Sequence, residues 1–446
     1  MLPVVKLAPM VGFSYRHATL YCEGVAVPDA AKALGTPLYL YSKAAVIAAY
    51  REIRDAFAAA APLVCYSVKA NSNLHLLRLL AAEGAGCDVV SGGELFRALR
   101  AGVSPQKIVY AGVGKTEEEI RYALESGVFC LNVESEGELS AIARLARARR
   151  VRARVALRLN PDVDAHTHAH ITTGKRENKF GLDAETVRRL IRAHVRDVGL
   201  EFIGLHTHIG SQITAPEVHA LALERMLLLM EEIERRGPRL TYVNIGGGYG
   251  ISYDGREVSS AQDFAERLVP PLLSAGRKLI IEPGRFIVGN AGILVTRVVY
   301  VKRTTAGKTF VICDAAMNDL IRPTLYGAYH HIWPVQDEGS PLFGGPQERA
   351  LSPVDVVGPV CESGDYLARD RAMPPVQEGD LLAVFGAGAY GMTMSSNYNS
   401  RPRAAEALAD GRHLQLIRAR ERYDDLVRLE EVDGTLSHRR KEIQDE

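Results

Sequence analysis

Charge of one sign is what this chain most lacks. Its 54 lysines and arginines face 53 aspartates and glutamates, so the formal net charge is +1 across 446 residues. Nucleic-acid binders carry a basic excess that neutralises phosphates, and its absence excludes that class of partner. Long hydrophobic runs are absent too. No stretch approaches the roughly 20 apolar residues that span a bilayer as a helix, so no membrane partner is expected. Cysteine is sparse: Cys22, Cys65, Cys87, Cys130, Cys313 and Cys361 are scattered without CxxC spacing. Such usage offers neither a disulfide framework nor a zinc site, and most of these thiols fall in strand-like segments, where a cysteine is usually a small hydrophobe. Residues 1–6, MLPVVK, lack the charged-then-apolar layout of a secretory signal. The expectation is a cytoplasmic protein with reduced thiols.

What is present is size and rhythm. At 446 residues the chain exceeds the length at which one hydrophobic core stops growing, so two domains are expected. From Val64 onward, short apolar and β-branched runs alternate with amphipathic helical patterns. The runs cover 64–68, 86–91, 108–111, 129–133, 155–159, 202–206, 242–245 and 279–282. Helical patterns at 74–85, 94–101, 117–125 and 136–148 separate the earlier ones, and similar patterns separate the later. Eight strand-then-helix units within about 220 residues fit a closed parallel (β/α)8 barrel, which typically takes roughly 250. Beyond Gly284 the rhythm changes to strand-like segments at 295–301, 310–313, 354–360 and 381–385, joined by turn- and proline-rich loops. The expected fold is therefore α/β: a barrel over 42–282, and a second, mainly β, barrel- or sandwich-like domain from 1–41 and 283–430. Pro37–Tyr41 is suited to pair with that domain. Residues 431–446 are dense in charge and read as a solvated tail.

Lys69 ends the run Tyr66-Ser67-Val68-Lys69, where the strand gives way to polar Asn71-Ser72-Asn73. Strand C-termini form the mouth of such a barrel, and a lysine amine shielded from water there can form a Schiff base. Ile245-Gly246-Gly247-Gly248-Tyr249-Gly250 follows the seventh strand and Glu282-Pro283-Gly284-Arg285 the eighth. Glycines there let backbone N–H groups approach a phosphate, and the spacing is not that of a dinucleotide fingerprint. A single-phosphate cofactor plus a mouth-facing lysine points to pyridoxal 5′-phosphate. A carboxylate at Glu282 would keep its ring nitrogen protonated and deepen the electron sink.

Five segments carry a resemblance: Tyr66–Asn71 (YSVKAN), His206–Ser211 (HTHIGS), Gly246–Gly250 (GGGYG), Glu282–Arg285 (EPGR) and Cys361–Asp365 (CESGD). Together they resemble the barrel-type pyridoxal-phosphate-dependent amino-acid decarboxylases. Met317–Tyr326 and Gly358–Ser363 are similar to the branch acting on diaminopimelate, and the likeness runs from about Gly35 to about Arg422.

The resemblance implies that Lys69 holds the cofactor, Glu282 pairs with the ring nitrogen and His208 stacks on the ring. It implies a phosphate cradle of Ser211, Gly247, Gly248, Pro283, Gly284 and Arg285, with the Tyr390 hydroxyl. Arg285, Arg322, Tyr326 and Tyr390 would bind substrate, the arginines and Tyr326 taking its distal carboxylate and Glu362 its distal ammonium. Cys361 is implied as the proton donor, on a loop that completes the site of a second subunit, so a homodimer is expected. Asp88, ending the second strand, would lie near the Schiff base. His166-Thr167-His168-Ala169-His170 alternates histidines without ligand spacing, and no metal is expected. Alternatives are an ornithine, arginine or carboxynorspermidine decarboxylase, and a catalytically silent binding homologue.

Overall fold

The computed structural model describes residues 11–163, 179–340, 345–346 and 350–432. Eight parallel strands close a barrel: Leu63–Ser67, Gly86–Val89, Ile108–Tyr110, Cys130–Val133, Ala153–Arg158, Leu200–His206, Tyr242–Asn244 and Lys278–Ile281. Strands buried on both faces must be apolar nearly throughout, as Leu63-Val64-Cys65-Tyr66 is. Most of the helices outside them start on side-chain caps, Glu217–Glu234 being an exception with Pro216 at its N-cap. Thr116 and Glu119 form a reciprocal capping box at the head of helix Glu117–Ser126, and Ser260 and Asp263 do the same for Ala261–Ser274.

The helical ring closes differently from eight strand-then-helix units. Only a four-residue turn of helix, Arg285–Val288, follows the eighth strand. The vacant position is filled from earlier in the chain by helix Lys43–Ala56, which packs on that turn and against helices Leu74–Ala82 and Ala261–Ser274. Its N-cap is the Ser42 hydroxyl, which accepts from Ala45 N at 3.0 Å.

Ser42 also ends strand Leu38–Ser42, which belongs to the second domain. It pairs antiparallel with Gly292–Arg303 and parallel with Ala405–Asp410, inside a sheet of nine strands. Side chains alternate along it. Tyr39 and Tyr41 join the core shared with the barrel, whereas Leu38 and Leu40 join a separate core with Ile293, Val295 and Trp333. Strands Ile332–Pro334, Tyr366–Met373, Ala405–Asp410 and His413–Arg418 escape the pattern reading. They are short, interrupted by charges, or alanine-rich, and neighbouring strands rather than propensity hold them in place. All six cysteines are free thiols; five are buried and Cys361 is exposed. Among the described residues no helix is long and apolar enough to cross a membrane. The His166–His170 segment and residues 433–446 of the charged tail lie outside the described residues.

Candidate active site

Strand ends converge on a cavity of about 1000 Å³ at the mouth of the barrel. Lys69 reaches it from a 3-10 turn, Val68–Ala70, directly after the first barrel strand. Its Nζ lies 3.4 Å from Asp88 Oδ2, which also accepts from the Ser67 hydroxyl at 2.6 Å. Burial alone would lower the basicity of Lys69. Asp88 above all, with Tyr390 and Glu282, outweighs it and holds the ammonium above the ordinary lysine range.

Glu282 follows the eighth strand and is 3% exposed. Asn244 and Asn132 donate to its Oε1 at 2.6 and 3.3 Å, and His206 Nε2 lies 3.4 Å from Oε2. Burial pushes this carboxyl up, but His206, Lys69 and Asn244 together bring it down to about 2, so it is a carboxylate at any physiological pH. It is the anion that a protonated ring nitrogen requires. His208 also lines the cavity. Burial, then Lys69 and Arg158, holds its imidazole well below the usual range, and a neutral ring is what can stack on a cationic heterocycle.

The glycine turn leaves no room for side chains. A Cβ on Gly247 would sit 2.1 Å from the Glu282 carbonyl oxygen, and one on Gly248, at φ +99°, 2.5 Å from that of Gly210. Ser211, Gly248, Gly284, Arg285 and Tyr390 line the cavity, whereas Gly247 and Pro283 stand behind its wall. These two residues brace the cradle. Gly247 N–H donates to His208 Nδ1 at 3.2 Å, and the Pro283 carbonyl accepts from Ser67 N at 3.0 Å. Arg285 Nη2 donates to the Ser211 hydroxyl at 3.0 Å, while its Nε is buried without a partner among the described residues. Tyr390 adopts φ +57°, and its N–H donates to the Ala70 carbonyl at 2.8 Å, tying this second-domain loop to the Lys69 turn. A lysine, a buried carboxylate, a glycine turn too tight for side chains and a buried guanidinium nitrogen with no acceptor among the described residues together fit pyridoxal phosphate.

Arg322 and Tyr326 line the cavity together with Arg285. Arg285 Nη1 donates to the Tyr253 hydroxyl at 2.5 Å, and the Arg322 guanidinium lies 4.9 Å over the Tyr253 ring. The two arginines outweigh burial and draw the Tyr253 phenol below its usual range. Among the described residues neither arginine pairs with a carboxylate, leaving two buried cations for an anionic ligand. Arg322 Nη1 lies 2.7 Å from His330 Nε2, whose Nδ1 is 2.9 Å from the Phe385 carbonyl. Arginine can only donate and a carbonyl only accept, so His330 carries its proton on Nδ1.

Cys361 and Glu362 are not in this cavity. Both are exposed beyond strand Ser352–Val357, with Cys361 N–H bonded to Asn399 Oδ1 at 2.7 Å. Sequence reasoning left His206, Asn132, Asn244, Tyr253 and His330 without roles. The first three sit at or near the C-terminal ends of barrel strands, and polarity at those positions was the available signal.

Residues 43–289 match the family described as pyridoxal-dependent decarboxylase, pyridoxal binding domain. Barrel, lysine and carboxylate thus define the class: this is a barrel-type pyridoxal-phosphate-dependent decarboxylase. The chain is 48% identical to diaminopimelate decarboxylase of Pseudomonas aeruginosa, over 93% of its own length and 97% of that protein's. It is 46% identical to that of Aquifex aeolicus, over 93% and 96%. The crystal structure of diaminopimelate decarboxylase from Helicobacter pylori complexed with L-lysine superposes with a TM-score of 0.85 at 39% identity, covering 91% of this chain and 99% of that one. The chain belongs to the diaminopimelate decarboxylase family.

Proposed function

We propose that this enzyme decarboxylates meso-2,6-diaminopimelate to L-lysine and CO₂, the last step of lysine biosynthesis, in the cytoplasm and as a homodimer. The observation that carries the substrate is the pair Arg285 and Arg322, buried beside Tyr326 and without a carboxylate partner among the described residues. A distal carboxylate is the group that such a pair recognises, and ornithine and arginine have none. Bound pyridoxal phosphate supplies the electron sink that makes loss of CO₂ from an α-amino acid feasible. The chain's residues do the rest. Lys69 Nζ is the amine for the cofactor aldehyde, with Asp88 as its counter-ion. Glu282 keeps a negative charge at the ring-nitrogen position. His208 covers one ring face, and Ser211 with the glycine turn faces the phosphate.

Cys361 and Glu362 stand exposed outside their own cavity on a turn that the Asp365 carboxylate staples, accepting from Met317 N and Val360 N at 2.7 Å each. A braced, exposed turn suits presentation to a second subunit, where the thiol would deliver a proton and Glu362 would meet the distal ammonium. Free, mostly buried thiols suit a reducing compartment. The test is CO₂ release from meso-diaminopimelate against L-lysine, L-ornithine and L-arginine, with Lys69→Ala as blank. Diaminopimelate is expected to exceed the others by about 10⁴-fold in kcat/KM, the discrimination of a site whose buried polar groups go unpaired with the wrong substrate. Preference for ornithine would overturn the reading.

A further inference from the structure

Between Gly247 and Gly248 the chain has a peptide plane that nothing local orients. Flanking glycines accept either sign of φ, so rotating this plane costs little, yet its direction decides whether the turn offers an N–H or a C=O to the cavity. A phosphate needs the N–H. Two imidazoles grip this turn. His208 Nδ1 accepts from Gly247 N–H at 3.2 Å on the cavity side. On the other side His219, the third residue of helix Glu217–Glu234 and 1% exposed, places Nε2 2.9 Å from the Gly247 carbonyl oxygen. His219 itself does not line the cavity, whereas Gly248 does.

We propose that His219 is a positioning residue for the phosphate cradle: its Nε2–H holds the Gly247 carbonyl from behind, so that the Gly248 N–H faces the cavity. A carbonyl only accepts, so Nε2 is the protonated nitrogen. In a trans peptide the C=O and the following N–H point in opposite directions, so anchoring one aims the other. The imidazole cannot swing away. It stacks on Tyr249 at 5.4 Å and 13°, with the Phe264 ring edge-on at 5.4 Å. Its Nδ1 has no partner among the described residues, and burial pushes the ring down to about 4, so it stays neutral with a single N–H. A phenyl ring would fill the same aromatic slot without a buried polar atom. Among the described residues the Gly247 carbonyl is the one polar partner of this ring.

The inference rests on the glycine turn receiving the cofactor's phosphate, and the test separates the two. Full-length protein freed of cofactor is titrated with pyridoxal 5′-phosphate and with pyridoxal, which has the same aldehyde and ring but no phosphate, following the visible absorbance band. His219→Phe keeps the stack and loses the donor. Its affinity for pyridoxal phosphate is expected to fall about tenfold while that for pyridoxal is unchanged, and His219→Gln, which restores an N–H near the Nε2 position, should regain most of the loss. Equal losses for both ligands, or none for either, overturn the proposal. Should the Phe variant not fold, His219→Asn replaces it, its amide being one carbon short of the carbonyl. It must lose the phosphate selectivity that Gln keeps, and identical behaviour of the two overturns the proposal. If the wild type itself binds pyridoxal as tightly as pyridoxal phosphate, the assignment of the turn to phosphate fails instead.

Discussion

Lys69 shows how neighbours set the chemistry of one side chain. Attack on an aldehyde needs the neutral amine, yet in the cofactor-free protein Asp88, Tyr390 and Glu282 hold Lys69 as an ammonium above the ordinary lysine range. The neutral fraction therefore grows with pH throughout the range below that value. Loading with pyridoxal phosphate should quicken by up to about tenfold per unit between pH 7 and 9. Asp88→Asn removes the nearest anion, lowers the lysine's basicity, and should speed loading at pH 7. Stopped-flow absorbance measures both, and a slower Asp88→Asn variant would contradict this account. At this scale the lysine, Glu282 and the glycines were legible, because strand ends and turn glycines are local features. His206, Asn132 and Asn244 were not given partners, since they meet Glu282 only once the barrel closes: strands six, seven and eight then lie side by side, while strand four, two or more strands away on either side, brings Asn132 in through the barrel interior.

Among elements, the residues that follow the Lys69 turn are tied to the second domain. Asn71 Nδ2 donates to the Gly388 carbonyl at 3.1 Å, and Asn73 Nδ2 donates to Glu406 Oε2 at 2.9 Å. Tyr41 donates to the other oxygen of Glu406 at 2.8 Å. Asn73 is also the N-cap of helix Leu74–Ala82, its Oδ1 accepting from His75 N at 2.9 Å. Asn73→Ala thus removes a cap and leaves a buried carboxylate short of a donor. Its cost should be about 2–4 kcal/mol in denaturant unfolding of the cofactor-free protein. A change within 0.5 kcal/mol would mean that this link between domains carries little. Asn71 and Asn73 read in the sequence as polar residues ending a strand. Their partners lie more than 300 positions away, and no local pattern encodes such a separation.

For the whole molecule, the exposed Cys361 and Glu362 face the question of what they serve. If each cavity is completed by a second subunit, a Lys69→Ala chain and a Cys361→Ala chain are each defective, but a mixed dimer contains one intact site. Half of randomly re-associated dimers are mixed, so the mixture should recover about a quarter of wild-type activity. Recovery of none, with exchange of subunits verified by mass, would place Cys361 in its own chain's site. Dilution should lower specific activity as subunits part.

The sequence by itself determined the alternation of the barrel, the residues at its mouth and the class of cofactor, because hydrophobic period, turn glycines and strand-end polarity are written within a few neighbouring positions. The tertiary structure decided which segment closes the helical ring, how a carboxylate stays ionised at 3% exposure, and which wall of the cavity each residue joins. Those outcomes depend on through-space contacts between distant strands and on the burial they create, and neither is set until the barrel and the second sheet have packed together.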